Sequence, residues 1–291
     1  MILVVGATGF LGGEICRRLT QAGQSVRGLV RATSDPNITA NLQELGVQLA
    51  TGDLKDKASL VAACQGITSI ISTATVTRSS QPGDSIELTD AAGQQALIAA
   101  ALEAGVSQFI YVSYSGQIGT DDPLTLAKRG VEERLRASGM TYTILRPSYF
   151  IEAWLSPVFG FDAANAKATI YGAGENKLSW ISLGEVAAFA VESLTNPAAR
   201  NAVLELGGPN ALSPLEVVRI FEEISGKQFD VQHVPEEALI AQQANATDSM
   251  QRAFAALMLA YAKGDVIPME ATLQQFPIAL TSVREFAQRT V

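Results

Sequence analysis

The chain has 291 residues, 21 lysines and arginines against 29 aspartates and glutamates, and a formal net charge of −8. That length can bury a large core, and an acidic balance without a basic run argues against nucleic acid and anionic membrane surfaces as partners. One histidine and two cysteines, Cys16 and Cys64, are too few for a metal site of the usual nitrogen and sulfur type, so no metal is expected.

Met1-Ile2-Leu3-Val4-Val5 is a short apolar run and reads as a strand buried on both faces. It breaks at Gly6-Ala7-Thr8-Gly9-Phe10-Leu11-Gly12. Beyond the break, Leu11, Ile15, Leu19 and Ala22 recur at helical spacing until Gly23. Strand, turn and helix together form a phosphate cradle. Gly6 makes the turn, Gly9 admits a pyrophosphate, and Gly12 lets helix and strand pack closely, with the helix N-terminus aimed at the anion. The spacing is G-x-x-G-x-x-G, so a glycine-rich turn without a ligand is the alternative; the strand before it and the helix after it favour the cradle. Because Met1 opens into the strand, no signal peptide is expected. With Cys16 and Cys64 on expected helices as reduced thiols, the expected location is the cytoplasm.

The turn Gly6-Ala7-Thr8-Gly9-Phe10-Leu11-Gly12 resembles the cofactor turn of the short-chain dehydrogenase/reductase superfamily. More narrowly it resembles the atypical NmrA-like and isoflavone-reductase-like branch, over most of the chain and most strongly up to Pro147. The resemblance implies an NAD(P)-binding protein in which Thr8, Phe10 and Leu11 contact the cofactor beside the three glycines.

Ser25 to Arg31 reads as the second strand. In this architecture its end faces the adenosine ribose, where an acidic residue would select NAD. Here Arg31 stands there, followed by Ala32, Thr33 and Ser34. A guanidinium can clamp a 2′-phosphate, so NADPH is the expected cofactor; a solvated loop arginine is the alternative. Val47 to Thr51 is the third strand. By resemblance Asp53 and Leu54 after it meet the adenine, though Asp53 could instead cap a helix beginning near Lys57. Ser69 to Thr73 is the fourth strand, and Thr73-Ala74-Thr75 offers small residues under the cofactor. A helix over Ile86 to Ala104 and a fifth strand over Gln108 to Ser113 follow.

Superfamily members commonly carry Tyr-x-x-x-Lys on the next helix, where one turn sets both side chains on one face. Here Lys128 is present, but Leu124 stands in the tyrosine's place. The resemblance gives Lys128 the nicotinamide ribose or the developing charge of the acceptor, against a surface lysine beside Arg129. Ser113 is a candidate hydrogen-bonding partner of the substrate, against a strand-end cap.

Thr141 to Leu145 is the sixth strand, and Arg146-Pro147 resembles the family's crossing to the substrate side. Pro147, Tyr149 and Phe150 are expected near the cofactor. Aromatics then thicken: Tyr149, Phe150, Trp154, Phe159, Phe161, Tyr171 and Trp180. Tyr114, Tyr149, Trp154, Phe159 and Trp180 are the candidate pocket walls, with an aromatic core as the alternative. Residues from Leu183 to Leu206 read as a helix and strand returning to the first domain. Ser213-Pro214-Leu215-Glu216 is a capping box. Helices follow over Pro235 to Ala244, Asp248 to Lys263 and Ser282 to Gln288, the second apolar almost all round from Ala253 to Ala262.

The expected fold is α/β: a Rossmann doubly wound parallel sheet over 1–150, rejoined by about 181–206, with a smaller C-terminal α+β substrate-binding part over 151–291. The expected function is an NADPH-dependent oxidoreductase passing hydride to an apolar aromatic or quinone-like small molecule, as a monomer or homodimer. The alternative is a non-catalytic NmrA-like NADP(H)-sensing regulator. A sugar-nucleotide epimerase is disfavoured by Leu124.

Overall fold

The computed structural model describes residues 1–78, 81–118 and 121–291. Strands and helices alternate through the first half: β1 (Ile2–Val5), α1 (Phe10–Gln21), β2 (Val26–Val30), α2 (Pro36–Glu44), β3 (Gln48–Thr51), α3 (Lys57–Cys64) and β4 (Ser69–Ser72). A π-helical run over Ile86–Gly93 then leads into α4 (Gln94–Glu103), followed by β5 (Gln108–Val112), α5 (Pro123–Arg136) and β6 (Thr141–Pro147). The second half holds α6 (Ile151–Trp154), β7 (Phe161–Asp162), β8 (Lys167–Tyr171), β9 (Leu178–Ser179), α7 (Leu183–Glu192), β10 (Ala202–Leu206), β11 (Ala211–Leu212) and α8 (Pro214–Ser225). It ends with β12 (Asp230–Val234), α9 (Glu236–Ala244), α10 (Ser249–Lys263), α11 (Glu270–Gln275) and α12 (Val283–Thr290).

The main sheet runs β3-β2-β1-β4-β5-β6 with β10 beside β6. Every pairing from β3 across to β6 is parallel. Parallel strands need crossovers, and the helices between them cover the faces, so β1 is buried at all its positions. Strand order reverses between β1 and β4. That switch point opens a crevice at the carboxyl ends of the strands, beside the glycine turn.

The chain divides into two units. One comprises Met1–Ser113, Leu126–Leu145 and Val186–Leu204; the other comprises Tyr114–Thr125, Arg146–Glu185 and Glu205–Val291. In the first, Leu3, Leu60, Ile70, Phe109 and Tyr111 belong to one apolar core. The returning segment is fastened there by Gln108 Nε2, which donates to the Ser193 carbonyl at 3.0 Å, and by Thr143 Oγ1, which donates to the Ala199 carbonyl at 2.8 Å. The second unit has its own core, with Ile151, Leu178, Trp180 and Phe221 at its centre. Its three-stranded sheet has the order β12-β8-β7, and α8 opens with both bonds of the Ser213–Glu216 capping box.

Two local features depart from the expected elements. The helix expected from Ile86 begins as a π-helix, with Gly93 so close to Leu54 that an added Cβ would lie 2.8 Å from the Leu54 Cβ. Residues 36–44, not expected to be helical, form α2 because Pro36 sits in its first turn and Asp35 accepts from the Asn37 amide. Among the described residues no helix is long and apolar enough to cross a membrane.

Candidate functional site

The glycine turn is built by contact. Gly6 has φ +88°, and a Cβ there would meet Thr73 Oγ1 at 2.6 Å. A Cβ on Gly12 would lie 2.1 Å from the Gly6 carbonyl oxygen, so only glycine lets α1 pack this close to β1. Gly9 differs. Its φ is −82°, and an added Cβ would meet only the Gly6 carbonyl oxygen, at 3.3 Å. Its open side is space that only glycine leaves clear. α1 starts at Gly9 with no side-chain cap and no acidic residue in its first turn. An uncapped helix N-terminus behind a surface without side chains fits a pyrophosphate. Thr8 is half-buried, Leu11 and Gly12 are buried, and the Phe10 ring is 72% exposed at the lip of the turn.

At the end of β2, Arg31 Nη1 ion-pairs with Asp84 Oδ2 at 2.7 Å. Lys55 also pairs with Asp84 and lies 3.6 Å from Asp53 Oδ2. Arg31 is thus one of two cations gathered on Asp84, and Lys55 is a member that the sequence reading missed. Asp53 does not cap α3. Asp56 does, accepting from the Ala58 and Ser59 amides, whereas Asp53 Oδ1 accepts from the Lys55 amide at 2.8 Å. Leu54 is buried in the core of the first unit.

After β4, Thr73 Oγ1 donates to the Val5 carbonyl at 3.2 Å, and Ala74 offers its carbonyl to Gln94 Nε2 at 3.0 Å. Thr73, Ala74 and Thr75 are half-buried, and Thr73 and Ala74 lie against Gly6. Asp90 of the π-helical run is fully buried; its Oδ2 accepts from the Val76 amide at 2.9 Å. Asp90 Oδ1 has no hydrogen-bond partner among the described residues.

Lys128 is not a surface lysine. It is 5% exposed, and its ammonium lies 5.4 Å from the centroid of the Tyr111 ring. Burial pushes its pKa below the ordinary lysine value. Asp90 and Glu132 pull the other way, and Arg129 adds to the lowering. Leu124, one turn before it, is buried and supplies no proton.

Ser113 is buried and tied to α5. Its Oγ donates to Glu132 Oε1 at 2.6 Å and accepts from Arg129 Nη1 at 3.1 Å, while Arg129 also pairs with Glu132. The hydroxyl expected to meet substrate is spent on joining β5 to α5.

In the second unit, Tyr114 is half-buried and shares a short hydrogen bond with Thr125 Oγ1. The Thr125 hydroxyl donates to Asp122 Oδ2, so Tyr114 is the donor in that first bond. Asp122 Oδ1 in turn accepts from the Leu124 and Thr125 amides at 2.9 and 3.2 Å.

The aromatic run packs as core. Trp154 is stacked between Phe159 at 4.5 Å and Tyr261 at 5.0 Å, and Tyr149 meets Trp154 edge-on at 4.8 Å. Trp180 is 1% exposed and donates from Nε1 to the Leu212 carbonyl. The cavity among these rings is ≈ 10 Å³, about one water in size. Tyr149, Trp154 and Trp180 therefore belong to the packed core of the second unit rather than to an open pocket, because the cavity beside them has room for no more than about one water. Burial and the Asp265 carboxylate raise the Tyr149 phenol well above its usual range. Pro147 is buried with its carbonyl accepting from the Ser115 amide at 2.9 Å, and Phe150 is half-buried at the start of α6.

The model of the NmrA-like family matches residues 1–287. An isoflavone reductase homolog, IRL, from Zea mays is 34% identical over 251 residues, covering 83% of this chain and 79% of its own length. The NAD(P)H azoreductase of Xenophilus azovorans is 34% identical over 230 residues, covering 78% and 74%. The NADPH complex of the Escherichia coli quinone oxidoreductase QOR2 shares the fold, with a TM-score of 0.81 over 100% of this chain and 99% of that one, at 23% identity.

Proposed function

The chain belongs to the NmrA-like family, and from that membership we propose that it is an NADPH-dependent reductase acting on a flat, apolar, quinone-like or aromatic acceptor. The glycine turn would hold the pyrophosphate, with Thr73 to Thr75 as further residues facing the cofactor. Bound NADPH would supply a hydride, that is, a proton with two electrons.

The observation that carries the reading is Lys128, an ammonium kept inside the protein against the cost of burial. A buried cation steadies negative charge as it develops on an acceptor oxygen or nitrogen, and does so better in a dry site than in water. The quinone and azo compounds in the names of similar proteins support a conjugated acceptor of that kind. The partner we assign is a small molecule, and the place of action the cytoplasm, in keeping with two buried, unpaired cysteines.

Arg31 carries the preference for NADPH over NADH, with Lys55 beside it. A 2′-phosphate would compete with Asp84 for both cations, so the site exchanges one anion for another. Arg31→Ala should cost about 1.5–3 kcal/mol of NADPH affinity, roughly ten- to a hundredfold, with NADH affected far less. Fluorescence titration of both cofactors reads this directly, and equal affinities in the wild type would remove Arg31 from the site. Steady-state oxidation of NADPH with naphthoquinones, azobenzenes and aryl enones tests the reaction class. Turnover of none of them would overturn it.

A further inference from the structure

An ammonium buried as deeply as that of Lys128 calls for an opposite charge close by. Two buried carboxylates of the same unit act on it, Glu132 on α5 and Asp90 on the π-helical run. Glu132 is engaged elsewhere. It pairs with Arg129, accepts from Ser113 Oγ at 2.6 Å, and has Arg136 Nη2 3.7 Å from its other oxygen. Asp90 stands otherwise. Its Oδ2 takes the Val76 amide at 2.9 Å, while its Oδ1 has no hydrogen-bond partner among the described residues.

The fold fixes where this carboxylate sits. Asp90 belongs to a run with π-helical bonding, a local form frequent at functional sites. The run continues into α4, where Gln94 accepts from Ser72 Oγ at 3.0 Å and donates to the Ala74 carbonyl at 3.0 Å. Ser72 pairs in register with Tyr111, the residue whose ring faces the Lys128 ammonium. On the next residue, Gln95 Nε2 donates to the Gly130 carbonyl at 3.2 Å, which ties α4 to α5 two residues past Lys128. The helix that carries Asp90 is thus bonded to both elements that frame Lys128.

We propose that Asp90 is the buried counter-charge of Lys128, a positioning residue that acts on the reaction only through the ammonium. Only its effect on rate rests on the reductase reading above. The groups facing Lys128 are Asp90 from the π-helical run, Arg129 and Glu132 from α5, and the Tyr111 ring from β5. Burial lowers the Lys128 pKa most. Among the charges Asp90 acts most strongly and raises it, Arg129 lowers it, and Glu132 raises it least. The offset is partial, and the Val76 amide holds Asp90 in place independently of Lys128.

An ammonium deprived of its counter-charge gives up its proton at lower pH. Asp90→Asn removes the charge and keeps an oxygen for the Val76 amide. With lysine labelled at ¹³Cε, the Lys128 resonance is the one missing from Lys128→Met, and its titration needs neither cofactor nor turnover. In Asp90→Asn it should titrate at a pH lower by about 1 or more than in wild type. Glu132→Gln should displace it less.

The rate should follow the titration. At the pH where wild-type Lys128 is half titrated, Asp90→Asn should reduce a naphthoquinone about fivefold more slowly, or worse, in a single turnover. Lowering the pH should recover that loss, which a merely structural defect would not allow. Equal Lys128 titration in wild type and Asp90→Asn would overturn the proposal, and so would a larger displacement in Glu132→Gln. A rate loss that acid does not recover would likewise overturn it, because Asp90 would then act through the fold. If the titration moves as expected and the wild type reduces no quinone, the counter-charge stands and the reductase reading falls.

Discussion

Lys128→Met should slow reduction of a quinone acceptor by about a hundredfold or more while leaving the protein at least as stable as wild type. Removing one preorganised donor to a developing oxyanion typically costs 10²–10³ in rate. The stability half of the expectation comes from burial. Lys128 is 5% exposed, and its pKa is lowered chiefly by desolvation, so its charged form is disfavoured in the folded state. Methionine has similar length and no charge to desolvate.

The pH dependence has a definite sign. Between the lowered folded value and the ordinary value near 10.5, the native state has shed a proton that the unfolded state keeps. Wild-type stability should therefore rise with pH across that window relative to Lys128→Met. Thermal melts of both proteins at several pH values check this. If kcat is unchanged and NADPH binding alone weakens, Lys128 holds the ribose and does not act on the acceptor.

Gly9→Val should abolish measurable NADPH binding, a loss of at least a hundredfold, with the fold intact. The backbone at Gly9 is in a region open to any residue, and a Cβ would meet only one atom closer than 4 Å. The side chain would stand where the phosphates approach. Gly12→Ala should do the reverse and act on stability. Its Cβ would lie 2.1 Å from a backbone oxygen, and relieving that overlap means moving α1 off β1, at about 1–3 kcal/mol. Circular dichroism melts alongside cofactor titration separate the two glycines. Normal NADPH affinity in a folded Gly9→Val protein would make the turn purely structural.

The sheet was legible because its signals are local. Apolar runs such as Ile2–Val5 and Phe109–Val112 must be buried on both faces, and glycines mark where each following turn or helix begins or ends. The glycine turn was legible because its three glycines lie within seven residues between a strand and a helix; the Gly12–Gly6 contact is local to it, whereas the contact that excludes a Cβ at Gly6 comes from Thr73, far along the chain. α2 also announced itself, through Asp35-Pro36, to a reading that looks for caps before looking for apolar spacing.

Pairings across the sequence were hidden. Nothing in the sequence around Arg31 shows that Asp84, 53 residues on, will meet it, or that Lys55 will share that carboxylate. Ser113 has a residue type that suits substrate binding, yet Glu132 on α5 claims its hydroxyl. The aromatic run was ambiguous in composition. Tyr261, far along the chain on α10, decides it by stacking on Trp154 and closing the cluster.

The most direct test of hydride transfer is single-turnover oxidation of protein-bound NADPH by a naphthoquinone, followed at the reduced-nicotinamide absorbance with protio and with C4-deuterated cofactor. The reductase account requires a rapid loss of absorbance that deuterium at the transferred position slows. Tight NADPH binding whose absorbance never falls, whichever quinone, azobenzene or enone is added, would contradict it and leave a protein that senses the cofactor without using it.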